Sequence, residues 1–397
     1  MTDSATGLRI AHIQPLSLDL YGNVDEEIGT KVRYMVPNLA AAQARMGDRP
    51  RVHLVASGRP GRHKANGVEY VFHRCIQPPR RAGIRWRFAR QLSPGMLRAL
   101  DADDVDVVHF HGAWSLHTMF AATAWHAARR DLPLLAHDHG HRPVGRIGDM
   151  ALRYALLRSD AVIVGNGESA ATFQRIGVPS SAIHWVPNGI DPDLFKPGPV
   201  RRRRPGDPLE VLVVSRLAHD TDPVTMAPAV ARLAGHGRQF SVTIVGEGAL
   251  KKEVTGILEG AGVEMRLISY LPAEALADQY RAADVLVLTS PNEGSNQVTV
   301  EAMACGLPVV ATDIPGIREN VRGAGVLVPV GDVAAVASAL EHLIEEPDAL
   351  LHWREKGLER ARTLDWCGIA RRVRSLYDEL LRHRSATAPG RAAGPTP

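Results

Sequence analysis

The chain has 397 residues, 45% of them apolar and 23% charged, a length that favours two hydrophobic cores over one. Its net charge is +4, and its basic residues are nearly all arginine, with only six lysines; that looks more like base composition than like a nucleic-acid footprint, which would need clustering on one face. Three cysteines without a C-x-x-C pair support neither a disulfide framework nor a zinc site; without a signal-peptide pattern or an apolar run long enough to span a bilayer, the chain reads as cytoplasmic.

Short apolar runs alternate with helix-forming segments along the whole chain, the pattern of parallel sheets built from βαβ units. In the first half, strands are expected at 9–13, 52–56, 69–73, 105–110, 134–136, 161–164 and 183–186. An acidic run, Asp25, Glu26 and Glu27, interrupts the chain after the first strand. It reads as a solvated loop or, alternatively, as three carboxylates that hold a cationic ligand. The basic segment 79–90, PRRAGIRWRFAR, interleaves Ile84, Trp86 and Phe88 at i, i+2, i+4, a poor helical stripe. Solvated surface is favoured there over a membrane-surface helix.

Two D-x-D triplets occur in DADDVDVVHF (101–110), a mark of metal-dependent transferases of another fold class. Here they precede a strand, at the wrong end for a ligand. Histidines gather at His109 and His111 and again at His137, His139 and His141. Spacing of i, i+2 on a turning loop, without Cys or H-E-x-x-H, gives no recognised ligand geometry, so no metal is expected. His111 reads as a loop residue.

Residues 196–208, rich in Pro, Gly and Arg, have the composition of a linker. Beyond it, strands are expected at 209–215, 241–245, 264–268, 285–289, 308–311 and 325–328. Arg216 follows the first of these, and its planar fork suits a diphosphate. Gly246-Glu247-Gly248 follows the second, but a bare G-x-G does not support a nicotinamide site. A helix at 366–382 closes the ordered chain, and 384–397, rich in Ser, Ala, Pro and Gly, is expected to be disordered.

The densest signal lies at 282–313, AADVLVLTSPNEGSNQVTVEAMACGLPVVATD. A β-branched apolar run gives way to Pro, Asn, Gly and Ser, then to good helix formers stopped by Gly306 and Pro308, then to a second apolar strand. Glu293 sits at the carboxyl end of the first strand, and Glu301 lies in the helix that follows. The amides of Gly294, Ser295 and Asn296 fall near the helix start, where the dipole favours a diphosphate. Carboxylates beside phosphate suit sugar hydroxyls instead.

This E-x7-E segment strongly resembles the signature of glycosyltransferase family 4, retaining enzymes of the GT-B architecture. The resemblance extends through VPNG (186–189) with Asp191-Pro-Asp-Leu-Phe195, VLVVSRL (211–217), TIVGEG (243–248), YRAADVLVLTS (280–290), IPGIREN (314–320) and GVLVPVGD (325–332). It covers residues 8–383. It implies an α/β fold of two Rossmann-like domains with parallel sheets facing across a cleft. Residues 8–195 would bind the acceptor, 209–365 the nucleotide-diphosphate sugar, and helix 366–383 would cross back to the first domain.

By the same resemblance, His139 contacts the donor sugar, Glu293 and the Gly294–Asn296 amides fix it, and Glu301 accepts hydrogen bonds from ribose. Arg216 stabilises the departing diphosphate, with no cofactor or metal. Two departures stand out. The family's Gly-Gly loop is represented by Gly29, Thr30 and Lys31, with one glycine. Thr221 stands where the family carries a lysine that shares the diphosphate; His219 or Lys31 could supply the missing charge. The acceptor is a metabolite such as an aminocyclitol, or an envelope glycan or lipid. Rival readings are a sugar-nucleotide epimerase of the same architecture, or a weakly catalytic partner subunit that binds sugar nucleotide.

Overall fold

The computed structural model describes residues 7–17, 35–56, 60–74, 93–102, 104–112, 132–139, 145–200, 204, 206–294 and 296–387. Their strands pair into two sheets of eight and six. The contacts divide the chain into two units, the first holding Met1–Val164, Ser169–Val186 and Ile369–Pro397, the second Gly165–Glu168 and Pro187–Gly368.

In the first unit, β1 (Arg9–Ser17), β2 (Arg49–Ala56), β3 (Gly61–Ala65), β4 (Val68–Arg74), β5 (Val107–His111), β6 (Leu134–His137), β7 (Ala161–Val164) and β8 (Ile183–Trp185) form one sheet. Its order is β3-β4-β2-β1-β5-β6-β7-β8. The described helices between them are α1 (Met35–Arg45), α2 (Pro94–Ala102), α3 (Gly145–Leu156) and α4 (Gly167–Arg175). Every strand pair is parallel except β3–β4.

Strand β3 is absent from the sequence reading because GRHKA carries no apolar run and is mostly exposed. Its signal is the turn: Asn66 and Gly67 take φ of 51° and 76°, the left-handed pair a two-residue hairpin requires. An Asn-Gly between 65 and 68 was legible. A second correction concerns His111, expected in a loop. It ends β5 and is buried.

Period-2 alternation sorts this sheet's faces. Ala11, Ile13, Val108, Phe110 and Leu134 pack together on one side. The opposite side presents His12 in register with His109, and His111 in register with His137. A parallel sheet is covered on both faces, so those imidazoles are buried.

In the second unit, β9 (Leu209–Val214), β10 (Phe240–Val245), β11 (Glu264–Ile268), β12 (Val285–Leu288), β13 (Val309–Thr312) and β14 (Val326–Val328) form an all-parallel sheet. Its order is β11-β10-β9-β12-β13-β14. Helices α5 (Met226–Gly235), α6 (Lys251–Gly260) and α10 (Val333–Glu345) cover Val211, Val213, Val242 and Val285. On the other face α7 (Ala273–Ala282), α8 (Gln297–Ala304) and α9 (Pro315–Val321) cover Leu212, Val214, Leu286 and Ala311. Helix α11 (Pro347–Arg362) follows.

The first unit ends earlier than Phe195. Ile190 and Phe195 belong to the core of the second unit, and Ile190 N donates to Leu364 O at 2.7 Å. Gly189, of the VPNG segment, is needed there, since a Cβ would stand 2.4 Å from the Trp366 ring.

The last helix, α12 (Trp366–Thr387), is longer than expected; 388–397 lie outside the described residues. From Ile369 onward it belongs to the first unit. Arg384 donates to both Asp160 oxygens at 2.7 Å. Arg374 pairs with Asp48, whose side chain is fully buried and also accepts from Leu8 N at 3.0 Å. Removing the cation alone strands a buried carboxylate. Arg374→Leu is expected to lose about 3 kcal/mol of stability in urea unfolding, with part recovered when Asp48→Leu is added.

Candidate functional site

The chain of the second unit runs outward from β9 to β10 and β11, then returns to the other side of β9 for β12, β13 and β14. The loops after β9 and β12 therefore diverge in opposite directions from neighbouring strands. That divergence leaves a crevice at their carboxyl ends, where open α/β sheets bind ligands. Arg216 lies in the first loop and Glu293 in the second.

Backbone packing is close here. A Cβ on Gly246 would meet Ser215 O at 1.9 Å, and one on Gly248 would meet Leu217 O at 2.1 Å. Leu217 N donates to Glu247 O at 2.9 Å. The G-x-G is thus a spacer that lets the loop after β10 press against the arginine loop. Gly316 does the same for the glutamate loop, since a Cβ there would stand 2.2 Å from Glu293 O. Thr289 Oγ1 donates to Asp222 O at 2.6 Å and ties the two loops together.

Arg216 is well exposed and pairs with Asp220 at 2.6 Å. Such exposed pairs contribute about 1 kcal/mol or less, so the guanidinium is easily released to an anion. Thr221 is not a cleft-facing substitute for lysine. It is buried, and its hydroxyl bonds Arg216 O and, at 3.0 Å, Ala218 O, bracing the loop that carries Arg216.

Glu293 is half-buried. Burial pushes its carboxyl above the usual range, opposed by hydrogen bonds from Ser290 and Asn296 and by the charge of Arg216. The arginine and the glutamate thus share one electrostatic environment. Gly294 O accepts from Asn166 Nδ2 at 2.7 Å. Asn296 caps α8, its side chain accepting from Thr299 N at 2.8 Å while its carbonyl accepts from Asn320 Nδ2 at 2.6 Å. Ser295 lies outside the described residues, as do Gly29, Thr30, Lys31, the acidic run Asp25–Glu27 and the segment 79–90.

Glu301 departs from expectation. It has 0% exposure, and its Oε2 accepts from Tyr280 OH at 2.9 Å. That face of α8 is turned onto α7, which carries Tyr280.

In the first unit His139, at the carboxyl end of β6, is half-buried. It ends a hydrogen-bonded string: Gln43 Oε1 lies 2.7 Å from His12 Nε2, His12 Nδ1 2.9 Å from His111 Nε2, and His111 Nδ1 3.2 Å from His139 Nε2. A second string runs from Tyr377 OH to His109 Nδ1 at 2.6 Å, then from His109 Nε2 to His137 Nδ1 at 3.2 Å. Sequence reasoning missed His12, Gln43 and Tyr377, which come from three distant elements. The visible sign was the alternation of His109 and His111 with Val108 and Phe110.

Ligand atoms of His12, His109 and His111 lie within 4.8 Å of one another, close enough for a metal ion. Yet bonded rings sit 5.2–5.4 Å apart between centroids, the N···N distance plus two ring radii. They meet edge to edge, each ring nitrogen named above aimed at a hydrogen-bond partner. Metal ligands would instead converge on a common point.

Residues 32–194 match the family described as Glycosyltransferase Family 4, and 208–346 match Glycosyl transferases group 1. D-inositol 3-phosphate glycosyltransferase 1 of Catenulispora acidiphila is 29% identical over 358 residues, 81% of this chain and 82% of that protein. The 2-deoxystreptamine glucosyltransferase of Streptomyces kanamyceticus is 28% identical over 220 residues, 52% of this chain and 57% of that protein. Sucrose-phosphate synthase from Thermosynechococcus elongatus has the same fold, with a TM-score of 0.72 at 21% identity over 95% of this chain and all of that one.

Burial holds His109, His111 and His137 well below the usual histidine range, and His12 at about 4. The unfolded chain therefore binds more protons than the native one between the ordinary value of 6.5 and those depressed values. The contribution of these histidines to stability is complete above pH 6.5 and is lost as pH falls toward about 4. Melting temperature should drop across this interval, and replacing His12 by Gln should flatten the drop.

Proposed function

The chain belongs to glycosyltransferase family 4, a GT-B family whose members use nucleotide sugars, and we propose that it transfers the sugar with retention of configuration and without a metal. The observation that carries this reading is the placing of Arg216 and Glu293 on the two loops that diverge after β9 and β12, where the charge of the arginine reaches the carboxyl.

Arg216 leaves Asp220 to bind the diphosphate, the only strong negative charge that grows as the sugar departs. Glu293, with the amides of Gly294, Ser295 and Asn296, accepts and donates hydrogen bonds to the sugar. Gly29, Thr30 and Lys31 are assigned further phosphate contacts and Glu301 the ribose. In the first unit, His139 is assigned a contact with the sugar. The acceptor oxygen bonds to the anomeric carbon as the carbon–phosphate-oxygen bond breaks, and the acceptor proton passes to the leaving phosphate oxygen. This front-face displacement requires a cation on the phosphate rather than a protein base.

The acceptor is a small cyclitol, and an aminocyclitol is favoured. The inositol phosphate and 2-deoxystreptamine enzymes among its relatives support a cyclitol. The acidic run Asp25–Glu27 adds a reason to prefer a cationic one.

Incubation with UDP-, GDP- and ADP-sugars plus cyclitols tests the reading. Transfer supports it, an epimerised donor points to an epimerase, and binding without turnover points to a partner subunit, which Thr221 would favour. Arg216→Ala should lower kcat by about 100-fold or more; full turnover would remove its role. Neutralising Asp25, Glu26 and Glu27 together should raise KM for an aminocyclitol while leaving KM for the donor unchanged. An unaltered acceptor KM would count against the cationic acceptor.

A further inference from the structure

The two histidine strings meet at one amide. Gln43 Oε1 faces His12, and Gln43 Nε2 lies 3.3 Å from Tyr377 OH. An amide oxygen only accepts and an amide nitrogen only donates, so this side chain sets the direction of both strings. His12 must carry its proton on Nε2 and accept at Nδ1. His111 then donates from Nε2 and accepts at Nδ1, and His139 in turn donates from Nε2.

The Tyr377 string picks the same orientation independently. Its 2.6 Å contact with His109 Nδ1 is short for an N–H donor and ordinary for O–H, so the phenol is the donor. Burial raises the phenol's pKa and keeps that proton in place. Tyr377 oxygen is then left to accept from Gln43 Nε2, which returns the amide oxygen to His12.

We propose that Gln43, acting through His12 and His111, fixes His139 in the neutral Nε2–H tautomer, so that the ring meets a sugar hydroxyl as an acceptor at Nδ1. Gln43, His12 and His111 are positioning residues; His139 touches substrate. The inference rests on the reading that His139 contacts the donor sugar. It assigns that contact a polarity, the ring accepting and the hydroxyl donating, which would select donors with a hydroxyl rather than an ether or acyl group there. The whole device lies within one unit, because α1 and α12 cover the same face of its sheet.

The test is a long-range proton–nitrogen correlation spectrum of the full chain with 15N-labelled histidine, at neutral pH. His139 is expected with its proton on Nε2, together with His12, His111, His109 and His137. Gln43→Leu removes the acceptor for His12; His139 should then become a mixture of tautomers and kcat should fall about tenfold with little change in donor KM. Gln43→Glu keeps the acceptor but not the donor. It should preserve the His139 tautomer and most of kcat, while His109 and His137 move their protons to Nδ1.

A proton on Nδ1 of His139 in the wild type overturns the proposal. So does an unchanged His139 tautomer in Gln43→Leu, or stoichiometric metal in the purified protein with metal-shifted ring nitrogens. If the variants fail to fold, the wild-type spectrum alone decides. The expected tautomers in a protein without transferase activity would leave the relay standing and remove the functional reading; activity with the wrong tautomer would do the reverse.

Discussion

A parallel sheet sealed on both faces can hold reactive polar groups only where its strands end. In the second unit that constraint governs everything else. Val211, Val213, Leu212 and Val214 are consumed by the two cores. The first residue of β9's continuation free to meet a ligand is in the Ser215–Leu217 turn. The same holds for β12, whose polar sequel begins at Thr289. Because β9 and β12 are neighbours whose loops leave in opposite directions, the arginine of one and the glutamate of the other share a crevice without either entering the core.

Holding two polar loops this close requires backbone to approach backbone. Gly246, Gly248 and Gly316 make that possible, since a Cβ at each would lie 1.9–2.2 Å from a carbonyl oxygen. Their role is steric. Thr221, whose hydroxyl closes the turn around Arg216 O, belongs with them. It braces the turn that presents the guanidinium by hydrogen bonds, and does not replace the charge of a lysine.

The first unit makes an exception to the rule that sheet faces are apolar. Four imidazoles on β1, β5 and β6 are buried, a burden that only complete hydrogen bonding offsets. Their partners come from outside the sheet, Gln43 on α1 and Tyr377 on α12. The terminal helix therefore does more than add apolar cover. Through Tyr377, Arg374 and Arg384 it supplies polar partners to His109, Asp48 and Asp160. No helix among the described residues is long and apolar enough to cross a membrane.

The sequence by itself determined the α/β class, thirteen of the strands and the loop–helix carrying Glu293, because these depend on local periodicity and on turn residues a few positions apart. It also carried the family motifs. Only the tertiary structure decided that Glu301 turns inward to Tyr280, that Ile190 and Phe195 pack with the later unit, and that His12, Gln43 and Tyr377 join His109 and His111. Each depends on a contact between residues far apart in the chain, such as the 334 positions separating Gln43 from Tyr377. Periodicity tells which side of an element is buried; it does not tell which distant side chain will be waiting there.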